Sequence, residues 1–266
     1  MPRGKRLRRS NRRAKTRFLY LSIMTLLTIF ALMFMNAKAK AATSFQSSYL
    51  TISVVSDTGK EFQIYPHSSS RNLHKAYLEA VEGSPYTIRL TNKSGLRLGL
   101  AISVDGRNII SGRQAEPGRK ERLYVVDPHT SASYSGWRTG EIRVRRFYFT
   151  REENLYDTDF GSRPETGIIS IAVYPEKRPG PFYNSTPADP PPALGSKDSL
   201  YRQEAMNMTV SANDGTGTGY GQMEYSPSQQ EPFEPGELAE VILLKYKLRE
   251  ALCRQKLIDC SGFYDK

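Results

Sequence analysis

Residues 96–110, LRLGLAISVDGRNII, constrain the fold more than any other stretch of this 266-residue chain. Leu100, Ile102 and Val104 alternate with smaller or polar residues, the two-residue period of a half-buried strand. Asp105-Gly106 then supplies the pair preferred where two consecutive residues must adopt positive φ, and Ile109 and Ile110 resume the apolar pattern. That combination predicts a β-hairpin with a type I′ turn. No helix accommodates it.

The same period recurs on both sides. SYLTISVVS sets Leu50, Ile52 and Val54 against Thr51, Ser53 and Val55, and EFQIYP sets Phe62 and Ile64 against Gln63 and Tyr65. YTIRLTN alternates Ile88 and Leu90 with Thr87, Arg89 and Thr91. RLYVVDP, EIRVRRFYFT and GIISIAVYP follow at roughly ten-residue intervals with turn residues between them. Evenly spaced short strands with no helical pattern predict an all-β fold, an antiparallel β-sandwich-like domain over 46–177.

Beyond Pro179 the texture changes. Residues 178–235 are rich in Pro, Gly and Ser and read as a largely irregular excursion. GTGTGYG within it has the glycines of a nucleotide loop but no confident strand before it and no apolar helix after it, so it reads as a flexible loop. Residues 236–266 regain structure. The compact run Val241–Leu244 predicts a strand at 240–246 returning to the sheet. Leu248, Leu252 and Leu257 predict a short C-terminal helix at about 247–257 that packs on the β domain.

The amino terminus predicts destination. Nine basic residues and no acids precede Phe18, and residues 18–35 carry no charge. The segment NAKAKAATS then offers A-x-A patterns at Ala37, Ala39 and Ala41. A basic region, an apolar region and a small-residue site in that order describe an export signal. Eighteen uncharged residues exceed the roughly 7–15 of a signal core and reach the roughly 17–25 of a spanning helix. Residues 1–42 therefore read either as a cleaved signal peptide or as a retained signal anchor holding the membrane through 18–35. In both cases the positive-inside rule puts the rest outside the cytoplasm: periplasmic or secreted if cleaved, single-pass in the inner membrane if not. Removing the leader's nine charges from the net +11 leaves +2 for the remainder, so the basic balance is no footprint for nucleic acid.

Cys253 and Cys260 can form a disulfide in an oxidising compartment or pack as two thiols; two thiols alone do not complete a zinc site. No catalytic, cofactor or metal motif is present. His67, His74 and His129 lack ligand spacing and read as surface residues. Asp157 and Asp159 in YDTDFGS lack the downstream acid of a calcium loop. The segment YSGWRTGEIRVRRFYFT contains the sole tryptophan. Its alternation places Arg143, Arg145, Phe147 and Phe149 on one face and Val144, Arg146 and Tyr148 on the other, so one half of that first face is exposed and the other buried. Trp137, Arg138, Arg143, Arg145 and Tyr148 are the candidate ligand-binding residues, with aromatic rings to stack on a sugar or peptide and guanidinium groups to hold an anion. The competing reading is core aromatics beside a solvated edge strand.

VEGSPYTIRLTNKSGLRLGLAISVDGRNIISGR, SGWRTGEIRVRRFYFT, GIISIAVYPEK, GTGTGYGQ…YSP and LLKYKLREALC together resemble a recurrent family of exported bacterial β-domain proteins without an assigned biochemical activity. The resemblance implies bacterial origin and an extracytoplasmic location, and supplies no catalytic residues. The expected function is that of a non-enzymatic envelope protein binding a protein or glycan. Two alternatives stand beside it. One is a cell-wall or polysaccharide hydrolase using a carboxylate pair from Glu152, Glu153, Asp157 and Asp159. The other is a structural subunit of an envelope assembly.

Overall fold

The computed structural model describes residues 40–115, 121–151, 166–177 and 215–260. The export segment, the Pro-rich part of the excursion and the acids at 152–159 lie outside the described residues. Among those described, no helix is long and apolar enough to cross a membrane.

The chain is mostly β, arranged in two multi-stranded sheets with one short helix. The strands are β1 (Phe45–Gln46), β2 (Leu50–Ser56), β3 (Ile64–Ser69), β4 (Leu73–Ala80), β5 (Pro85–Asn92), β6 (Leu98–Val104) and β7 (Arg107–Asn108). They continue with β8 (Tyr124–Val126), β9 (Ser131–Tyr134), β10 (Gly136–Arg138), β11 (Arg143–Arg151), β12 (Ile168–Pro175), β13 (Thr216–Tyr225) and β14 (Glu240–Leu248), followed by helix α1 (Arg249–Arg254). The first sheet runs β1-β2-β5-β11-β10, with β9 also on β5 and β13 on β11. The second runs β3-β4-β14-β12-β6-β7, with β8 also on β6.

The hairpin at Asp105-Gly106 has the expected chemistry. Val104 pairs with Arg107, and both turn residues take positive φ, +49° and +72°. One core lies between the sheets. Ile52, Val54, Ile88, Leu90, Phe147 and Phe149 of the first sheet meet Leu78, Leu100, Ile102, Ile171, Leu244 and Tyr246 of the second. Aromatic rings bridge the layers, with Tyr86 stacked on Phe149 at 4.2 Å and Phe149 packed on Tyr246 at 5.3 Å. Burial of each such side chain contributes about 1.5–3 kcal/mol.

Strand β14 is buried along its whole length. Ile242, Leu244 and Tyr246 enter the main core. Val241 and Leu243 enter a second cluster with Tyr65, Tyr77, Ile168, Tyr174, Leu252 and Cys253. A strand covered on both faces reads as a continuous apolar run, which is why 241–244 lacks alternation. Helix α1 and the Cys253–Cys260 disulfide belong to this second cluster.

Four expectations change. Strand β14 pairs parallel with β4, Val241 opposite Leu73 through Leu248 opposite Ala80, so the second sheet is mixed and not wholly antiparallel. Residues 216–225, read as part of the irregular excursion, form a ten-residue strand paired with β11 over Arg143–Arg151. The last strand runs to Leu248, and the helix is confined to 249–254, because Lys245–Leu248 stay on the ladder with β4. His74 is 6 % exposed and not a surface residue, since β4 carries it between the layers.

Candidate binding surface

The β11–β13 ladder connects a closed region of the molecule to an open one. At its closed end Phe147 pairs with Tyr220, Phe149 with Thr218, and both phenylalanines are fully buried. Tyr148 lies opposite Gly219, and a Cβ there would sit 2.1 Å from the Tyr148 ring. Gly219 thus leaves room for the Tyr148 ring to lie across the strand, and a side chain there would displace the ring.

The register slips between Arg145 and Phe147, a bulge of the kind that re-aims side chains. Beyond it the cover thins. Arg145 pairs with Met223 and Arg143 with Tyr225. Cross-strand partners share a face, so these four side chains form a two-by-two block. Arg143 Nη1 lies 3.4 Å from Met223 Sδ, closing one diagonal. Arg145 places its guanidinium 5.3 Å from the Tyr220 ring centre and Nη1 3.4 Å from the Gly221 carbonyl oxygen. Met223 is 46 % and Tyr225 71 % exposed, among the few large apolar side chains left to solvent in the described residues.

The five sequence candidates therefore separate. Trp137 is 5 % exposed and packs edge-on to Phe147 at 4.8 Å, so its indole is core and offers no stacking face. Arg138 acts as a tie. Its Nε donates to the Tyr124 hydroxyl at 3.1 Å and its Nη1 to the Ser226 carbonyl at 2.9 Å. Tyr148 is half-buried over Gly219. Arg143 and Arg145 are the two on the open end, and neither has a carboxylate partner among the described residues. Other arginines do. Arg97 reaches Asp127, Glu176 and Glu231 at 3.1, 2.7 and 3.0 Å, and Arg146 pairs with Asp57 and Glu224. Met223 and Tyr225 were missed because they lie in the Gly-rich stretch, although their two-residue spacing was the available signal.

Two buried polar clusters sit elsewhere and are closed. Asp105 Oδ1 accepts hydrogen bonds from the Gly167 N–H at 2.7 Å and the Tyr246 hydroxyl at 2.5 Å, and Oδ2 accepts from the Thr218 N–H at 2.8 Å. Thr218 Oγ1 lies 2.6 Å from the Tyr246 hydroxyl and 2.8 Å from that of Tyr86. Desolvation raises the Asp105 carboxyl to about 6 against these donors and nearby Lys245, which favour its charged form. Burial also pushes the Tyr246 and Tyr86 hydroxyls well above their ordinary range. The three hydroxyls form a chain that ends on the Asp105 carboxylate, with Tyr246 donating to it. The relay joins both sheets, with its hydroxyls buried and Asp105 half-buried.

The second cluster resembles a serine triad in residue types only. Glu240 is fully buried. It accepts from Ser47 Oγ at 2.5 Å and from the N–H groups of Ser48 and Tyr49 at 3.1 and 3.3 Å. His74 Nε2 lies 3.2 Å from Glu240 Oε2. A nucleophilic serine needs the imidazole next to its hydroxyl. Here the carboxylate lies between the two, so Ser47 meets Glu240 and not the imidazole. The cluster pins the β1–β2 turn of the first sheet to β14 of the second.

No family model, no curated protein and no solved structure matches the chain.

Proposed function

We propose that the protein is a non-enzymatic, exported bacterial envelope protein whose β-sandwich-like domain binds a protein or glycan partner. Its contact surface is the open end of the β11–β13 ladder. One observation carries the reading. Arg143 and Arg145 have no carboxylate partner among the described residues and stand beside exposed Met223 and Tyr225, whereas Arg97 and Arg146 are paired with carboxylates within the fold. Exposed Tyr, Met and Arg together have the composition of interface cores. Export is supported by the basic leader, the uncharged run 18–35 and the near-neutral remainder. The bonded Cys253–Cys260 pair suits an oxidising compartment.

Affinity purification of the full-length tagged chain from envelope fractions tests this. Wild type retains a saturable partner, and the Arg143→Glu/Arg145→Glu variant loses it while still fractionating with the envelope. Equal retention by both overturns the surface assignment. Recovery of the folded protein in the cytosol overturns export.

A further inference from the structure

We infer that the partner at this surface is a protein segment in extended conformation, carrying carboxylates at alternate positions beside apolar side chains. The inference rests on the binding reading above and narrows its partner to one class. Arg143 and Arg145 are two residues apart on one strand, so their attachment points lie about 6.6 Å apart. Alternate residues of an extended peptide repeat at the same roughly 6.6 Å interval. Met223 and Tyr225 occupy the neighbouring strand at the same spacing and in direct register, about 4.8 Å away. The surface therefore presents two parallel rows: one of guanidinium groups, one of a thioether and a phenol. A segment that alternates acidic and apolar side chains matches both rows when it lies edge-on along the seam between them, acids over one row and apolar groups over the other.

Charge on the surrounding ribbon permits this. Arg146 is already neutralised by Asp57 and Glu224. Arg138 donates to the backbone carbonyls of Gly140, Glu141 and Ser226. Among the described residues no carboxylate pairs with Arg143 or Arg145, which leaves their charge available. An anionic glycan fits less well. Sugar hydroxyls need acceptors as well as donors, yet guanidinium groups only donate and a thioether accepts weakly. The indole that would give a flat stacking platform is buried.

Fluorescence anisotropy on the full-length detergent-solubilised chain tests the proposal. The probes are a labelled peptide of alternating Glu and Val, the same peptide with Lys for Glu, and polygalacturonate as the glycan arm. The Glu/Val peptide binds, weakens as salt rises, and loses at least about tenfold in affinity with Arg143→Glu/Arg145→Glu. Arg143→Lys/Arg145→Lys, which keeps charge but not the planar fork, falls between. Unchanged circular dichroism and melting temperature in both variants exclude a folding defect. Equal binding of the Lys peptide, tighter binding of polygalacturonate, or indifference to the Glu variant overturns the inference. If no probe binds but the Glu variant still strips a partner in the envelope purification, this inference fails and the broader reading stands. If the purification is also unchanged, both fail.

Discussion

The two ends of the β11–β13 ladder share strands, hydrogen-bonding pattern and chain direction, and differ in what lies over them. At one end Tyr246 of the second sheet packs on Phe149, and Tyr86, Thr218 and Asp105 complete a closed polar relay. At the other end Arg143, Met223 and Tyr225 face solvent. The lesson concerns satisfaction. Polar groups at the closed end are expensive to leave unpaired, and Asp105, Tyr86, Thr218 and Tyr246 pair with one another within the fold. Guanidinium groups at the open end remain hydrated at little cost. Beyond single donations to Met223 Sδ and the Gly221 carbonyl, they keep their hydrogen-bonding capacity for another molecule.

Substitutions at the closed end are expected to unfold the protein and those at the open end are not. The largest effect is predicted for Phe149→Ala, which opens a cavity against Tyr86, Phe62 and Tyr246. A loss of about 3–5 kcal/mol in chemical denaturation is expected; a loss comparable to that of Tyr225→Ala would erase the contrast between the ends.

Next comes pH. The Asp105 carboxyl titrates at about 6 in the fold, up from 3.8, so the folded state holds the proton more tightly than the unfolded chain. Its contribution is fully present below about pH 4, is lost as pH rises to about 6, and is flat beyond, a change on the order of 2–3 kcal/mol. Asp105→Asn should remove that component from stability-versus-pH curves measured beside wild type. An identical slope in the variant would show that the carboxyl is not in this relay.

Thr218→Val is smaller. It keeps shape but breaks the link between the Tyr86 and Tyr246 hydroxyls, at about 1–2 kcal/mol by thermal melting. Smallest in stability is Tyr225→Ala, within about 0.5 kcal/mol of wild type, as for other exposed positions. Its expected effect is on partner retention.

Alternation made much of the fold legible. Strands β2, β5, β6 and β12 follow the two-residue pattern, and Asp105-Gly106 marks its hairpin without ambiguity. Strand β4, LHKAYLEA, was invisible because Leu, Lys, Ala and Glu favour helix. It is a strand because β3 and β14 pair with it on either side, a tertiary decision that local propensity does not record. Strand β13 was hidden by glycines that read as flexibility, although Gly219 faces the Tyr148 ring and Gly221 the Arg146 backbone oxygen. On the candidate surface, Arg143 and Arg145 were readable as basic residues repeating on one strand face. The burial of Trp137 was not readable, since a lone tryptophan beside arginine suits core and surface alike. The Asp105 relay could not be read locally, because Gly167, Thr218 and Tyr246 lie 62, 113 and 141 residues away in sequence.

Binding and folding separate along a single ladder, and one variant measures both. Arg143→Glu/Tyr225→Ala, expressed as the full-length chain, should melt within about 1–2 °C of wild type while retaining little of the partner recovered from envelope fractions. Unchanged retention, or a fall in retention matched by a fall in melting temperature, would contradict that separation.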